Sequence, residues 1–267
     1  TSTISVKGDN SAGIRTSAVT GNVTVGGTVT AIGQGAQALV TSGDIGGTLK
    51  INGTLGQATT YTADDGTSQV LSRTALQSGA AAVEVDGNVA GGVLIAAPNS
   101  STSTETTGSI QSYGSSPGLQ IGGANNIAIG TVASNDGTYS VAVDGSVTAN
   151  AYYSSTNAYG IVIGGKGGNV NLAGGIGING NVTATTNDAN ATAILINQGS
   201  TVPTLYVSGT VKAASTSLGI SAYAVRDLSG TLTTVNNTGF ITSNQGTQSG
   251  AIDLSANTSG VTVKQYL

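Results

Sequence analysis

Histidine, cysteine, methionine and tryptophan are all absent from this chain of 267 residues. Without His or Cys there is no imidazole or thiolate metal site, no thiol nucleophile and no histidine-based acid/base pair, so most familiar catalytic constellations are excluded. The missing cysteines also rule out disulfides. That does not place the chain in the cytosol, because a polypeptide threaded through an export pore gains from having nothing to cross-link on the way. Charge is scarce too: 7% of residues are charged, eight cations stand against twelve anions, and the net charge is -4. No basic cluster is available to neutralise a phosphate backbone, so no nucleic-acid partner is expected. No apolar run reaches the ~18 residues of a membrane-crossing helix, so no transmembrane segment is expected. The sequence starts at Thr1 without a basic and then apolar leader, and the chain is expected to be a processed product or an excised fragment.

What remains is 38% apolar residues, enough for a core, together with 42 glycines. The surface must therefore be built largely from Thr, Ser, Asn and Gly. One pattern recurs: alternating aliphatics, a small polar residue, glycine, another small polar residue and a new aliphatic. It is clearest at Val83–Val89 (VEVDGNV) and Val141–Val147 (VAVDGSV), with looser copies at 51–55, 178–182, 207–211 and 228–232.

Taking a small residue followed by alternating aliphatics as the anchor gives nine copies, whose first aliphatics are Ile14, Leu39, Val83, Leu119, Val141, Ile161, Ile194, Val225 and Ile252. The shortest spacings set a unit near 20 residues, with the excess in loops such as Gln57–Leu76 and Ala97–Gly108. Glycine follows the anchor by four or five residues in seven copies, where a tight corner favours a residue free to take positive φ. A set of antiparallel hairpins would also use Asn-Gly and Asp-Gly turns. A meander, however, has no need to keep corner and anchor in one phase over units of such different length. The pattern therefore predicts an all-β fold, a single-stranded parallel β-helix (β-solenoid) of about nine rungs, in which each anchor strand pairs with its equivalents above and below. The whole of 1–267 reads as one solenoid segment, about 40 Å long at about 4.8 Å per rung. Neither sequence end offers a polar cap, so both ends are expected to pair with flanking solenoid of the same chain or with further copies, end to end.

Alternation assigns the anchor residues to the interior and the next residues, Arg15, Val40, Glu84, Gln120, Ala142, Val162, Leu195, Arg226 and Asp253, to the outside. Arg226 and Asp253 are expected to pair across one rung. Asp227 interrupts the second interior file, and a β-bulge placing Leu228 inward is the expected remedy. Ala142, Val162 and Leu195 make three successive outward positions apolar, close to the loop carrying Tyr152 and Tyr153. Either that loop folds back over the stripe, or these five residues form a lateral contact surface for a partner or a neighbouring rod.

Other candidate sites are weaker. The run 164–169 (GGKGGN) resembles a calcium-roll repeat but occurs once, and reads as a glycine corner rather than a metal site. Asp86 and Asp144 are expected at one corner, two rungs apart, a separation compatible with glycoside hydrolysis. The cations needed beside such a pair are scattered, so corner hydrogen bonding is the expected role. Seven N-x-S/T sequons read as corner and ladder residues. No catalytic residue, metal or cofactor is expected.

The stretches 230–265 and 21–40 resemble the passenger region of bacterial autotransporters, the type V secreted surface proteins, and the likeness extends in style over the whole chain. It implies a right-handed parallel β-helix outside the outer membrane, secreted or held at the bacterial cell surface. The expected function is a non-enzymatic structural or adhesive stalk, which meets a host or surface glycan or assembles into a filament or layer. The alternative is a carbohydrate-active β-helix enzyme or a carbohydrate-binding module using the loops Gln57–Leu76 or Ala97–Gly108 as a cleft.

Overall fold

A computed structural model describes residues 2–76, 80–99, 105–217, 219–244 and 249–266. Three eight-stranded sheets dominate it, with every pairing inside them parallel. The first sheet runs from Thr3–Lys7 through Thr28–Ile32, Thr54–Gln57, Ser109–Ser112, Ser146–Asn150, Asn181–Thr186 and Thr210–Ser215 to Phe240–Asn244. The second runs from Ala12–Thr16 through Gln37–Thr41, Val83–Val85, Leu119–Ile121, Ala158–Ile163, Ala191–Ile196 and Ala222–Asp227 to Gly250–Asp253. The third runs from Val23–Val25 through Leu49–Ile51, Val93–Ile95, Val141–Val143, Ile176–Ile178, Thr204–Val207 and Thr234–Asn237 to Thr262–Gln265. The chain visits the three in rotation, coil after coil, which gives a solenoid-like arrangement of stacked parallel strands.

Alternation and stacking explain why these residues form these strands. Inward positions pair like with like along the stack: Val147 with Val182, Val182 with Val211, Ile161 with Ile194, Val143 with Ile178. All of these side chains are buried in one continuous core cluster, each worth about 1.5–3 kcal/mol of transfer free energy. The small residue before each anchor also has a cause. A β-carbon at Gly13 would stand 2.5 Å from Cγ1 of Val29, and one at Gly118 or Gly160 would crowd Val147 or Val182. Valines of the first sheet thus crowd that position, and at these three coils only glycine avoids the contact.

The corner from third to first sheet is lined by a glycine column. A β-carbon at Gly53 would collide with the carbonyl oxygen of Gly27, and the same holds for Gly145 on Gly108, Gly180 on Gly145, Gly209 on Gly180 and Gly239 on Gly209. Close backbone approach along the stack, more than positive φ, is what glycine provides there: among these residues only Gly27 has a left-handed φ, 72°.

Two expectations about register are corrected. Eight of the nine anchor copies lie in the second sheet, but the copy at Val141 lies in the third, paired with Val93 and Ile176. Leu119 instead pairs directly with Ile161. The intervening segment carries the chain to the third sheet through a short strand at Ile127–Ala128 and an antiparallel hairpin of Val132–Ala133 with Thr138–Tyr139. VEVDGNV and VAVDGSV therefore turn different corners. The expected bulge at Asp227 is also absent: Asp227 pairs with Ile196 in register and is fully buried. Its Oδ1 accepts from the Ser229 and Gly230 amides and the Ser229 hydroxyl, and its Oδ2 accepts from the Leu232 amide. Four donors satisfy the carboxylate, so the inward position needs no aliphatic replacement.

The loop Gln57–Leu76 holds a second antiparallel hairpin, Thr60–Thr62 with Ser68–Val70, and a single helical turn at Arg73–Leu76. Of the loop Ala97–Gly108, residues 100–104 lie outside the described residues.

Candidate functional site

The outer face of the second sheet carries a groove of about 160 Å³ over its later coils. Tyr159, Thr192 and Tyr223 occupy one outward register file, with Thr192 paired to Tyr159 on one side and to Tyr223 on the other. Both rings are half-buried, and they reduce Thr192 to 5% exposure. Among the described residues nothing hydrogen-bonds the hydroxyl of Thr192, a residue that lines the groove. Leu195 supplies an apolar patch beside it, and Asn190 stands exposed at the rim. The Asn190 side-chain oxygen accepts from the Ser221 amide at 3.1 Å, which ties the side chain to the next coil.

Arg226 closes one end. Its guanidinium lies 4.9 Å from the Tyr223 ring centre, and its Nε donates to Asp253 Oδ2 at 3.2 Å, the cross-rung pair expected from the sequence. Burial raises the Asp253 carboxyl, but hydrogen bonds from Ser255 and the Arg226 charge outweigh it, and the net shift is below the ordinary value. The groove is thus walled by aromatic rings, carries hydroxyl and amide groups, and holds a cation already matched by an anion.

The predicted apolar stripe is not reproduced as one surface. Val162 pairs with Gln120 and Leu195, not with Ala142, and is buried. Ala142 lies in the third sheet, beneath the hairpin at 132–139, where it packs with Leu94, Ala96, Val132 and Tyr139. Tyr152 and Tyr153 belong to the corner between the first and second sheets. Tyr153 packs against Ile32, Leu71 and Leu76, donates its hydroxyl to the Leu71 carbonyl at 2.5 Å, and carries Arg73 5.3 Å from its ring centre. Tyr152 meets it edge-on and stays 46% exposed. Of the five residues, Leu195 alone borders the groove.

A second polar site lies on the same face at earlier coils. Glu84, 5% exposed, accepts from Gln37 Nε2 and pairs with Lys166, which also comes within 4.0 Å of Asp86. Lys166 belongs to the GGKGGN run, so that run acts as an arm reaching across one intervening coil. Gln120, on that coil, donates to the Gly164 carbonyl at 2.8 Å. Burial pushes Lys166 below its ordinary pKa and Asp86 above it.

Asp86 and Asp144, expected at one corner, are separated: Asp144 follows a third-sheet strand and Asp86 a second-sheet strand. Asp144 instead interacts electrostatically with Asp136 and Glu105. Each of the three acids has its own partner. Asp144 accepts from Asn179 Nδ2 at 2.5 Å and the Asn135 amide at 3.1 Å, Asp136 accepts from the Ser208 hydroxyl at 2.6 Å, and Glu105 pairs with Lys50. Burial raises the Asp144 carboxyl despite these bonds. Beside them Tyr139 stacks on Tyr206 at 5.9 Å, and burial, then Asp136, Tyr206 and Asp144, push its phenol up to about 12. Among the described residues no group of three or more His, Cys, Asp or Glu is arranged to hold a metal ion.

The sequence reading missed the tyrosine groove. Its signal, a Tyr two residues before the anchor in two copies and Thr in the copy between, is visible once the copies are aligned on Ile161, Ile194 and Val225. The chain matches no family model, no curated protein and no solved structure. What the fold itself defines is a repetitive protein of parallel β-sheet, solenoid-like in architecture. None of its helices among the described residues is long and apolar enough to cross a membrane.

Proposed function

We propose that this chain is a segment of a right-handed parallel β-solenoid rod, secreted and displayed at the bacterial surface as a structural and adhesive stalk. The handedness follows from the strong preference of parallel crossovers for that hand. One observation carries the structural role: three parallel sheets run through the described coils over one continuous aliphatic core, the build of a stiff rod. Ile4 pairs with the buried Val29 and Val263 with the buried Val235, so both continue interior files, yet they are 44% and 53% exposed. An exposed strand edge of this kind can pair with a further copy of the chain.

Sedimentation velocity and negative-stain imaging test this. Concentration-dependent end-to-end oligomers, abolished by Val263→Asp, are expected, as is antibody labelling of intact, unpermeabilised cells. A chain that stays monomeric at all concentrations, together with cells labelled only after lysis, overturns the proposal.

A carbohydrate-active enzyme is the second reading, favoured by the approach of Asp136, Asp144 and Glu105. The proposal assigns these acids to holding the hairpin and corner in place, since each is engaged by its own partner. Depolymerisation of acidic polysaccharide that is lost in Asp144→Asn would reverse that assignment.

A further inference from the structure

We infer that the groove between Tyr159 and Tyr223 binds a pyranose ring of a neutral, linear glycan lying along the stacking direction. The inference deepens the adhesive part of the proposed function, but the groove can be tested wherever the rod is displayed.

Thr192 carries most of the argument. Its side chain is 95% buried between two tyrosines, and its hydroxyl, which has no protein partner among the described residues, is still reached by solvent from the groove. A hydroxyl left open at the floor of a groove offers one donor and two acceptor positions to a ligand hydroxyl that displaces its water. A file whose only task was to cover the sheet would be better served by valine, as at Val162 nearby. The walls identify the partner. Aromatic rings, a hydroxyl floor and a rim amide suit a ligand that offers C–H groups and hydroxyls together. The groove volume is of the order of one hexose.

Charge decides between sugars. Arg226 is already bound by Asp253, so it presents donors beside an acceptor instead of a bare cation. That arrangement fits a hydroxyl, which both donates and accepts, better than a carboxylate or phosphate. A peptide strand is disfavoured as well. The strands bearing the groove, Ala158–Ile163, Ala191–Ile196 and Ala222–Asp227, are each paired on both edges, leaving no edge for strand addition. Tyr159 and Tyr223 lie two coils apart, about 10 Å, which is the scale of a disaccharide in an extended glycan, so neighbouring sugars can follow the stack past Arg226.

Titration of the purified chain with cellohexaose, chitohexaose and maltohexaose, followed by amide shifts in NMR spectra, tests the inference. At least one is expected to bind with a millimolar or tighter Kd that is insensitive to salt. Tyr223→Ala and Thr192→Val are each expected to weaken it at least about tenfold, while Tyr223→Phe retains most of the affinity. Thr192→Val is isosteric and suits a strand, and unchanged thermal melting shows that a loss of binding is not a loss of fold. Val263→Asp, at the rod end, is expected to leave binding intact, so failure of end-to-end assembly and failure of glycan binding remain distinguishable. No binding of any of the three, binding untouched by both groove variants, or salt-screened binding of hexagalacturonate alone overturns the inference.

Discussion

The Tyr139 ring lies flat against the backbone of Gly177, on the very space that a β-carbon at Gly177 would occupy. Gly177 pairs with Ala142 in the third sheet, and Tyr139 ends the hairpin that covers Ala142. A glycine in the middle of a strand would ordinarily weaken it; here it lets the hairpin sit close enough for Tyr139 to stack on Tyr206.

Gly177→Ala is therefore expected to lift the hairpin and not to unfold the sheets. Alanine would stabilise the strand locally, but displacing the ring costs about 1–3 kcal/mol. Limited proteolysis should show a new cleavage within residues 132–139, with far-ultraviolet circular dichroism unchanged. Uncut protein with a raised melting temperature would contradict the packing described.

Glycines of the corner column should behave differently. At Gly180 the collision is with the Gly145 carbonyl, backbone against backbone, and neither can rotate away. Gly180→Ala is expected to destabilise the whole stack by about 3 kcal/mol or more. Gly21 has nothing within 4 Å of its β-position and no left-handed φ, so Gly21→Ala should stay within about 0.5 kcal/mol of the parent. Parallel urea melts separate the two.

Register can be tested covalently, because the chain has no native cysteine. Gln120 and Val162 are direct partners on neighbouring parallel strands; at about 4.8 Å spacing they fall within disulfide reach. The double variant Gln120→Cys, Val162→Cys should cross-link rapidly under mild oxidant. Gln120→Cys with Ala142→Cys should not, since Ala142 lies on another sheet. The opposite result would restore the nine-copy stack read from the sequence.

Burial raises the Asp86 carboxyl above its ordinary range. An acid whose folded pKa lies above its unfolded one favours the protonated form in the native state. Its penalty is absent below the unfolded value, grows as pH rises from there, and is complete once pH passes the folded one. Asp86→Asn should accordingly raise the melting temperature at pH 7, with the gain shrinking toward pH 3. A gain independent of pH would assign the effect to something other than ionisation.

Much of the interior was legible in the order of residues. The file from Ile14 to Ile252 holds in eight of nine positions, and the pair of Arg226 with Asp253 forms across one coil as expected. These depend on period-two alternation and on the match of like residues in successive copies. The Val141 copy was misplaced because its residues, VAVDGSV, satisfy the anchor of the second sheet as well as that of the third. Asp227 was misread because alternation alone treats an inward acid as an error, whereas the Ser229, Gly230 and Leu232 donors that satisfy it come from the turn just beyond.

The sequence by itself determined that this chain forms parallel strands with aliphatic interiors and glycine corners, since alternation and repetition are properties of neighbouring residues. Only the tertiary structure decided which side of the coil each copy occupies and which outward residues meet. All three sides draw on the same residue classes, and insertions of uneven length hide the phase. The groove around Thr192 exists because strands beginning at Ala158, Ala191 and Ala222 are brought together in register, a proximity fixed by hydrogen bonds between coils and by nothing local to any one of them.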